Sequence, residues 1–450
     1  MVCLRQALCG YVLRGAVSKS ECVERIHTVA VEATTRLFDE VDESMRGIKI
    51  IDVDTHLTEP ADLWTSRAPQ HLLDRVPKVV RAPDLTDEMR EQVAQLGTTG
   101  PTDHAPMWVV DERQVLGPAG AGSVINRNNE KVKGSVFLQW PLDESSLAAS
   151  YVAPRVAMMD QLGISAQIVF PNVVGFGGQN FFRISDLELR MAIVQIWNNA
   201  MADMQRESGG RLFGMGLLPW WDIDRTVQEI KRIAELGLKG VITNADPQNQ
   251  GLPDLAESYW DPMWQHLQDT NLPMNFHCGA SATQRTYNGG SPWPSMQPNS
   301  KLAVGSAMLQ MGNARIVANM ILSGLCERFP RLKIVSVESG IGWLPFMLEA
   351  LDYHADENAA SGLSLLPSEY FRRQMYACFW FENGPGLIDA IQRLGVDNCM
   401  FETDFPHPTC LFPEPLRSAV PTFKNVDDSF RRKVFSENAA HVYNIDLAAL

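Results

Sequence analysis

The chain has 450 residues, of which 45% are hydrophobic and 20% are charged, so it can bury a large core like an ordinary globular protein. Its length exceeds that of a small domain but suits one α/β barrel that carries insertions. The formal net charge of −14 at pH 7 argues against nucleic-acid binding, which requires a basic surface. No apolar run approaches the ~18 residues of a membrane span, so we expect no membrane partner.

The first 47 residues are expected to form a helical extension outside the main fold. Apolar residues recur at helical spacing between positions 20 and 45, among them Val23, Ile26 and Leu37. An earlier apolar run covers residues 7–13, but no small-residue cleavage site of a signal peptide follows it. The eight cysteines contain no CxxC pair and do not resemble a disulfide framework. We therefore expect a cytoplasmic protein, in a reducing compartment.

The stretch "IKIIDVDTHLTEP" at residues 48–60 begins as a short apolar strand. Asp52, Asp54 and His56 occupy alternate positions, so they share one face of that strand. The following segment, residues 57–150, contains "GPAGAGS" and scattered prolines, and it shows neither a repeat nor a core pattern. We expect it to be an insertion that forms a lid or a subunit contact within a single domain of residues 48–450.

Seven further apolar runs alternate with helical segments along the rest of the chain. They cover residues 166–172, 213–219, 239–244, 273–279, 333–339, 376–382 and 398–406. The clearest helix is expected to begin with Asp222 or Asp224 as its cap and to end at Gly237. Eight strands separated by helices predict an α/β fold, specifically a closed parallel (β/α)₈ TIM barrel with a long insertion after the first strand. No glycine-rich phosphate loop follows an early strand, which argues against an open nucleotide-binding sheet.

Four of the predicted strands end in side chains that can carry chemistry. The first ends in Asp54 and His56, the fifth in His277, the sixth in Glu338 and the eighth in Asp404. Barrel active sites lie at the carboxyl ends of the strands, so these groups are expected to converge. Their oxygen and nitrogen donors suit Zn²⁺, Mn²⁺ or Fe²⁺. Taken alone, each of these residues is more often a helix cap or part of a buried structural hydrogen bond than a metal ligand.

Five motifs together indicate a family. They are "IDVDTHLTEP", "MDQLGISAQIVFP", "YWDPMWQHLQDTNLPMNFHCG", "SGLCERFPRLKIVSVESGIGWLPFMLEALD" and "MFETDFPHP". With them, residues 48–445 resemble the amidohydrolase-related proteins of the aminocarboxymuconate-semialdehyde decarboxylase type, in the metal-dependent amidohydrolase superfamily. The resemblance implies one divalent ion held by Asp54, His56, His277 and Asp404. Zn²⁺ is the expected ion, with Mn²⁺ or Fe²⁺ as alternatives, and a homodimer or larger homo-oligomer is implied.

The chain departs from the family pattern at two positions. Asp54 stands where many relatives have the first histidine of an H-x-H motif. Ser339 stands where decarboxylases of this type generally have a histidine after the sixth strand, and serine cannot shuttle a proton as imidazole does. The adjacent Glu338 is a candidate general base or metal ligand. The alternative for Glu338 is a structural salt bridge to Arg328 or Arg331.

Other residues near the predicted barrel mouth are candidates for substrate contact. His407 follows the eighth strand, and it either reaches the substrate, caps the start of a helix or faces solvent. Arg285 and Trp293 lie in the long loop after the fifth strand, where they either clamp a carboxylate and stack on a ring or only hold the loop. Asn275 shares the strand face of His277 and is a third candidate for substrate binding.

The first functional hypothesis is a metal-dependent hydrolase that acts on an aromatic or ring-derived carboxylic acid through metal-activated water. Asp404, or Glu338, would accept the proton of that water. The alternative is a metal-dependent non-oxidative decarboxylase, in which Glu338 or His407 would replace the missing histidine. A third hypothesis is a barrel that has lost its chemistry and serves as a binding protein. Both enzymatic hypotheses imply a small-molecule substrate.

Overall fold

The structure is a computed structural model that describes residues 45–95, 105–281, 293 and 295–450. Residues 49–450 form one compact unit, and residues 1–48 are assigned to another, of which only the last few are described. The predicted helical extension thus lies almost wholly outside the described residues. The predicted oligomer and the predicted cytoplasmic location stay predictions.

Parallel strands form the centre of the larger unit. The strands of the described residues are β1 (Ile51–His56), β2 (Lys78–Val80), β3 (Met107–Val110), β4 (Gln114–Pro118), β5 (Ala166–Phe170), β6 (Leu212–Gly214), β7 (Gly216–Leu217), β8 (Val241–Ile242), β9 (Met274–His277), β10 (Ile334–Val337), β11 (Met375–Phe379) and β12 (Cys399–Phe401). One parallel sheet has the order β1-β5-β6 and another the order β12-β11-β10-β9-β8-β7. Only Met215 separates β6 from β7, so these two strands fill one position of eight.

The two parallel sheets close into a barrel at the seam between β1 and β12. The amide of His56 donates to the carbonyl oxygen of Phe405 at 2.6 Å, and the amide of Asp404 donates to the carbonyl oxygen of Asp54 at 2.9 Å. Thr55 and Phe405 form a parallel bridge at the same place. The predicted (β/α)₈ barrel is confirmed, and each of its eight strand positions overlaps one of the eight apolar runs.

Helices connect the strands and cover the barrel. They are α1 (Asp87–Gln95), α2 (Leu147–Ser150), α3 (Val152–Leu162), α4 (Leu187–Glu207), α5 (Ile223–Leu236), α6 (Asp261–Thr270), α7 (Pro298–Gln310), α8 (Gly312–Leu322), α9 (Leu325–Arg328), α10 (Leu344–Glu357), α11 (Pro367–Gln374), α12 (Pro385–Leu394), α13 (Pro415–Ala419), α14 (Asp428–Arg432) and α15 (Asn438–Tyr443). Helix α5 begins where Asp222 accepts a hydrogen bond from the amide of Arg225, and it ends at Gly237 in the left-handed conformation, as its sequence predicts.

The segment 57–150 contains a small antiparallel sheet of β2, β3 and β4. A separate apolar cluster packs against this sheet, formed by Leu85, Met89, Val93, Ala105, Met107, Val109 and Val115. The segment thus has a small apolar core, which no pattern in its sequence indicated. All four residues of β3 are buried, so the strand lacks the alternation by which a half-exposed strand is recognised. Its role as a lid or subunit contact stays a prediction.

The sequence predicts neither a disulfide framework nor a membrane span. The five described cysteines, at positions 278, 326, 378, 399 and 410, are buried and free. None of the helices in the described ranges has both the length and the apolar character needed to cross a membrane.

Asp52 is buried in the core and forms hydrogen bonds across the junction between β1 and β12. Its Oδ1 accepts the amide of Thr403 at 2.8 Å, and its Oδ2 accepts the Thr403 hydroxyl at 2.6 Å and the Gln167 amide nitrogen at 3.0 Å. Burial raises the pKa of Asp52 to about 7, although these hydrogen bonds act in the opposite direction. Asp52 thus joins β1 to β5 and to the end of β12, beneath the predicted site.

Replacing Asp52 with Ala should lower the free energy of unfolding by at least about 2 kcal/mol, because buried donors on Thr403 and Gln167 would lose their acceptor. The measurement is the midpoint of urea unfolding of metal-free protein. The control is Asp62→Ala at an exposed position, which should leave the midpoint unchanged. Equal midpoints for the two variants would contradict a structural role for Asp52.

Candidate metal centre

The carboxyl ends of four barrel strands bring six ionisable side chains together. They are Asp54 and His56 on β1, His277 on β9, Glu338 after β10, and Asp404 and His407 after β12. All six residues are buried, with exposures between 0% and 8%. Two overlapping groups among them, Asp54–His56–His277–Glu338 and His56–Glu338–Asp404–His407, have donor atoms within 4.8 Å of one another.

The shortest separations centre on the two imidazoles. Nε2 of His56 lies 3.0 Å from Nε2 of His277, and Oδ1 of Asp54 lies 3.6 Å and 3.5 Å from these two nitrogens. Oδ1 of Asp404 is 3.6 Å from Nε2 of His56, and Oε2 of Glu338 is 3.3 Å from Nε2 of His277. Three of the four residues expected to bind a metal, Asp54, His56 and His277, thus lie together with Glu338. The fourth, Asp404, approaches this group through His56.

Two of these carboxylates are carried by left-handed backbone. Glu338 has φ of 50° and Asp404 has φ of 57°, conformations that cost a residue with a side chain on the order of 1 kcal/mol each. Each residue directly follows or nearly follows a barrel strand, so the turn redirects its side chain across the barrel mouth. Such a cost is retained in a fold where the surrounding structure requires that position.

Hydrogen bonds assign the faces of two histidines. Nδ1 of His277 lies 2.7 Å from the carbonyl oxygen of Cys278, which can only accept, so Nε2 presents its lone pair to the cluster. The amide group of Asn172 donates to the carbonyl oxygen of Leu57 at 2.7 Å, so its Oδ1 faces Nε2 of His407 at 2.7 Å. Nε2 of His407 is therefore the donor in that contact, and Nδ1 is the nitrogen left for the site.

His407 also lies against its neighbours in the cluster. Its Nδ1 lies 3.1 Å from Oδ1 of Asp404, which is within ion-pair distance. The two atoms do not have the geometry of a hydrogen bond. Its ring stacks on that of His56, with centroids 3.6 Å apart and an interplanar angle of 23°. The predicted alternative, in which His407 faces solvent, does not hold, since its exposure is 7%.

Burial and the proximity of like charges shift the pKa values of the cluster. Burial, followed by the charges of Asp404 and Asp52, raises the pKa of Asp54 well above its usual value. Burial and the charge of Asp404 raise the pKa of Glu338 in the same way. Burial, with His407 and His277 nearby, lowers the pKa of His56 well below its usual value, which keeps the imidazole neutral. Neutral imidazole and carboxylate are the forms that bind metal ions.

The donor atoms fit a divalent cation. Within the described residues, both oxygens of Asp54 and Oδ1 of Asp404 are buried without a hydrogen-bond partner. Unpaired buried carboxylate oxygens are costly, and a bound cation would satisfy them. The 3.0 Å between the two Nε2 atoms suits neighbouring ligands of one ion, since each such bond is about 2.1 Å long. The geometry thus supports a divalent metal site, and its oxygen-rich composition suits Mn²⁺ as well as Zn²⁺.

Buried groups beneath the cluster hold its strands in place. Arg155 donates to the carbonyl oxygen of His56 at 2.6 Å, and its guanidinium lies 4.7 Å from the centre of the Phe405 ring. Burial lowers the pKa of Arg155 to about 9, and the charge of Asp52 opposes that shift. The carboxylate of Glu402 accepts the amide of Glu338 at 3.3 Å through Oε2. These groups fix the backbone on either side of the barrel seam.

The structure decides between the alternatives for Glu338. Arg328 pairs with Asp261, and Arg331 pairs with Asp269 at 3.1 Å, so neither is the partner of Glu338. The Glu338 carboxylate instead contacts His277 and accepts a hydrogen bond from Sγ of Cys278 at 3.3 Å. The salt-bridge alternative is therefore wrong.

The structure supports none of the three residues Asn275, Trp293 and Arg285 as a substrate contact. Asn275 is fully buried, and its amide bonds to the carbonyl oxygen of Val241 at 3.1 Å and to the hydroxyl of Tyr443 at 2.7 Å. These contacts hold Asn275 inside the barrel and argue against the expected substrate contact. Trp293 is exposed, and its role stays a prediction. Arg285 lies outside the described residues.

Sequence reasoning missed three residues next to the cluster. Asn172 orients His407, as described above. Glu59 accepts the amides of Asn172 and Val173 at 2.7 Å and 2.9 Å, and burial raises the pKa of this carboxyl to about 7. The Phe176 ring lies 4.4 Å from that of His277. Asn172 ends the second apolar run, so the strand-end rule could have found it, whereas Glu59 and Phe176 carry no such signal.

A cavity of about 480 Å³ adjoins the cluster and is lined by Glu338 and His407 at that end. Most of its wall comes from two other parts of the chain. The segment 57–150 contributes Trp108, Leu116, Phe137 and Leu138, and the loop after β5 contributes Asn172, Phe176, Gln179 and Arg183. Its volume and its mixture of aromatic and polar walls suit a small organic substrate.

An eight-stranded parallel barrel with imidazoles and carboxylates grouped at the carboxyl ends of its strands defines a metal-dependent barrel enzyme. Residues 51–445 match the family described as Amidohydrolase, and the chain belongs to this family. The resemblance indicated by the five motifs is thereby confirmed.

Relatives of the chain include enzymes with named activities. The chain is 25% identical over 312 residues to the gamma-resorcylate decarboxylase of Rhizobium radiobacter, covering 65% of this chain and 86% of that one. The chain is 26% identical in sequence to the 5-carboxyvanillate decarboxylase of Sphingomonas paucimobilis, whose crystal structure matches with a TM-score of 0.52. The match covers 66% of this chain and 85% of that one. An amidohydrolase of Mycobacterium avium subsp. paratuberculosis shares the fold over 88% and 99% of the two chains, with 21% identity and a TM-score of 0.65.

Replacing Asp54 with Asn and His277 with Ala should each lower the metal content of the protein, because each change removes a donor from the cluster. The unaltered protein is expected to retain about one divalent ion per chain after dialysis. The control is His71→Ala, whose side chain is 63% exposed and lies outside the cluster. The measurement is elemental analysis by mass spectrometry. Undiminished metal in both cluster variants would exclude this site.

Proposed function

We propose that the chain is a metal-dependent non-oxidative decarboxylase of an aromatic carboxylic acid. The relatives whose names state a reaction are decarboxylases, which favours this alternative over the hydrolase expected first from the sequence. The enzyme family and the small-molecule class of substrate agree with both hypotheses. The site observation that carries the proposal is His407, a buried imidazole that lines the cavity and is held by Asn172 with Nδ1 left for the site.

Decarboxylation of an aromatic acid requires a proton donor beside the reacting carbon. The bond between the ring carbon and the carboxyl carbon breaks, the electron pair stays on the ring carbon, that carbon gains a proton and carbon dioxide leaves. When both nitrogens of His407 carry a proton, Nε2 donates to Asn172 and Nδ1 is the donor on the cavity side. The Asp404 carboxylate lies 3.1 Å from Nδ1 and orients the ring for this transfer.

Asp54, His56, His277 and Asp404 are the residues that would hold the divalent ion. When bound, the ion supplies positive charge that anchors substrate oxygens and stabilises the negative charge of the reacting acid. His277 is kept in the required tautomer by Cys278, and His56 is kept neutral by burial. The two imidazoles thus present nitrogen lone pairs in the neutral form that binds a metal ion.

The serine after the sixth strand takes no part in this scheme. The Ser339 hydroxyl donates to the carbonyl oxygen of Val337 at 3.0 Å, so it is turned back toward its own strand. Two other acids of the cluster line the cavity, namely Glu338 and His407. His407, after the eighth strand, supplies the imidazole that relatives are expected to carry after the sixth. Glu338 is proposed as a further metal ligand or as a second acid.

Hydrolysis is the second candidate function. It is favoured by Oδ1 of Asp404, which has no hydrogen-bond partner among the described residues and could accept a proton from water. In this scheme water adds to a carbonyl carbon of the substrate. The two reactions differ in whether an oxygen atom of the solvent enters the product.

Metal-loaded protein incubated with a panel of hydroxybenzoic acids should release carbon dioxide and form the corresponding phenol. In ¹⁸O-labelled water the phenol should contain no label, because no carbon–oxygen bond is made to the ring. The measurements are carbon dioxide release and product mass. Heat-inactivated protein is the control. A product that contains solvent oxygen, with no carbon dioxide, would identify a hydrolase.

His407→Asn should lower kcat by about 10²- to 10⁴-fold, because the proposed proton donor is lost, while metal content stays near that of the unaltered protein. Asp404→Asn should abolish turnover and also lower metal content, because in the proposal Asp404 both holds the metal ion and lies beside the proton donor His407. His354→Asn, at an exposed position, is the matched control and should leave kcat unchanged. Rapid carbon dioxide release by His407→Asn would remove His407 from the mechanism.

A further inference from the structure

Arg183 lines the same cavity as Glu338 and His407 but belongs to a different wall. It ends the short helical turn Gln179–Arg183, in the loop after β5. Among the described residues that line the cavity, Arg183 is the only arginine or lysine. The cavity therefore has an acidic, imidazole-rich end at the barrel strands and a guanidinium on a wall built by a loop.

The charge of Arg183 is not neutralised within the described part of the chain. Its Nη1 donates to the carbonyl oxygen of Val115 at 2.8 Å, and its guanidinium lies 5.7 Å from the centre of the Phe182 ring. No carboxylate of the described residues lies within ion-pair distance of it. Arg75 differs, since it pairs with Asp111 at 2.7 Å and with a second carboxylate. A guanidinium held by one backbone carbonyl keeps several donors for a ligand.

The wall of the cavity near Arg183 is suited to a flat ring. Strand β4 supplies Leu116 beside the carbonyl that anchors Arg183, and Trp108 on β3 and Phe137 also line the cavity. Aromatic and aliphatic groups of this kind pack on the faces of a substrate ring. A ring in this cavity can thus have one acidic substituent at the metal end and another near the guanidinium.

We propose that Arg183 binds a second carboxylate of the substrate, so that the site selects an aromatic dicarboxylic acid over a benzoic acid with one carboxylate. This inference rests on the proposed function, because it assumes that the first carboxylate occupies the metal end. Arginine suits this role since its planar fork matches a carboxylate with two parallel hydrogen bonds. The helical turn that carries Arg183 is fixed to the insertion sheet through Val115, so the guanidinium is positioned before the ligand arrives.

Binding of unreactive ligands tests the inference without turnover. Isothermal titration calorimetry on metal-loaded, full-length protein should show that benzene-1,3-dicarboxylate binds at least about 10-fold more tightly than benzoate. In Arg183→Met that ratio should fall close to one, and in Arg183→Lys it should be intermediate, because lysine keeps the charge but not the fork.

Arg190→Met is the matched control. Arg190 belongs to the neighbouring helix, bonds to the backbone carbonyl oxygen of Ile184 and lies 5.2 Å from the centre of the Trp221 ring, yet it does not line the cavity. Its replacement should leave the ratio of affinities unchanged. A merely structural role of Arg183 would weaken both ligands equally, so an unchanged ratio in Arg183→Met overturns the inference.

The result separates this inference from the proposed function. Selective binding of the dicarboxylate that depends on Arg183, together with no release of carbon dioxide from 4-hydroxybenzene-1,3-dicarboxylate, would support the inference and count against the decarboxylase. Release of carbon dioxide from 2-hydroxybenzoate and from the dicarboxylate at equal kcat/KM, unaffected by Arg183→Met, would support the decarboxylase and overturn the inference. Metal content and thermal midpoint of each variant confirm that it has folded.

Discussion

Mutual repulsion among buried carboxylates is the constraint on which this site depends. Asp54, Glu338 and Asp404 are held together in the barrel mouth, where burial strongly disfavours their charged forms. Their nearest polar neighbours are imidazoles rather than lysines or arginines, and the left-handed backbone at Glu338 and Asp404 adds to the cost. A divalent cation would make the electrostatic free energy of these carboxylates favourable, because each buried oxygen that lacks a partner would become a metal ligand.

The scaffold divides the work of the site between rigid and variable parts. Barrel strands carry the donor atoms, and Asp52 and Arg155 lock those strands together beneath them. The loop after β5 and the segment 57–150 supply most of the cavity wall. Metal chemistry needs fixed distances, which strands provide, whereas selection among substrates needs surfaces that can change without disturbing the core. The small core of the insertion allows its sheet to act as a firm wall.

Serine replaces the histidine expected after the sixth strand, and a histidine after another strand provides an imidazole at the same end of the barrel. All eight strands point toward the same opening, so an imidazole brought by the eighth strand reaches the space that another strand would otherwise serve. His407 is stacked on His56 and held by Asn172, and Ser339 is turned away. The site thus keeps an imidazole beside the cavity although the residue that the family pattern places there is absent.

The sequence by itself determined the barrel and the ligand candidates, because both follow from local pattern. Apolar runs of strand length repeat eight times, and Asp54, His56, His277 and Asp404 fall at strand ends, where the fold brings side chains together. Tertiary structure alone decided the partners. It separated Asn275, which bonds to Tyr443, from the site, and it placed Arg183 beside the cavity through a contact with Val115, far away in the chain. Such contacts depend on how strands and loops pack, and no spacing along one strand encodes them.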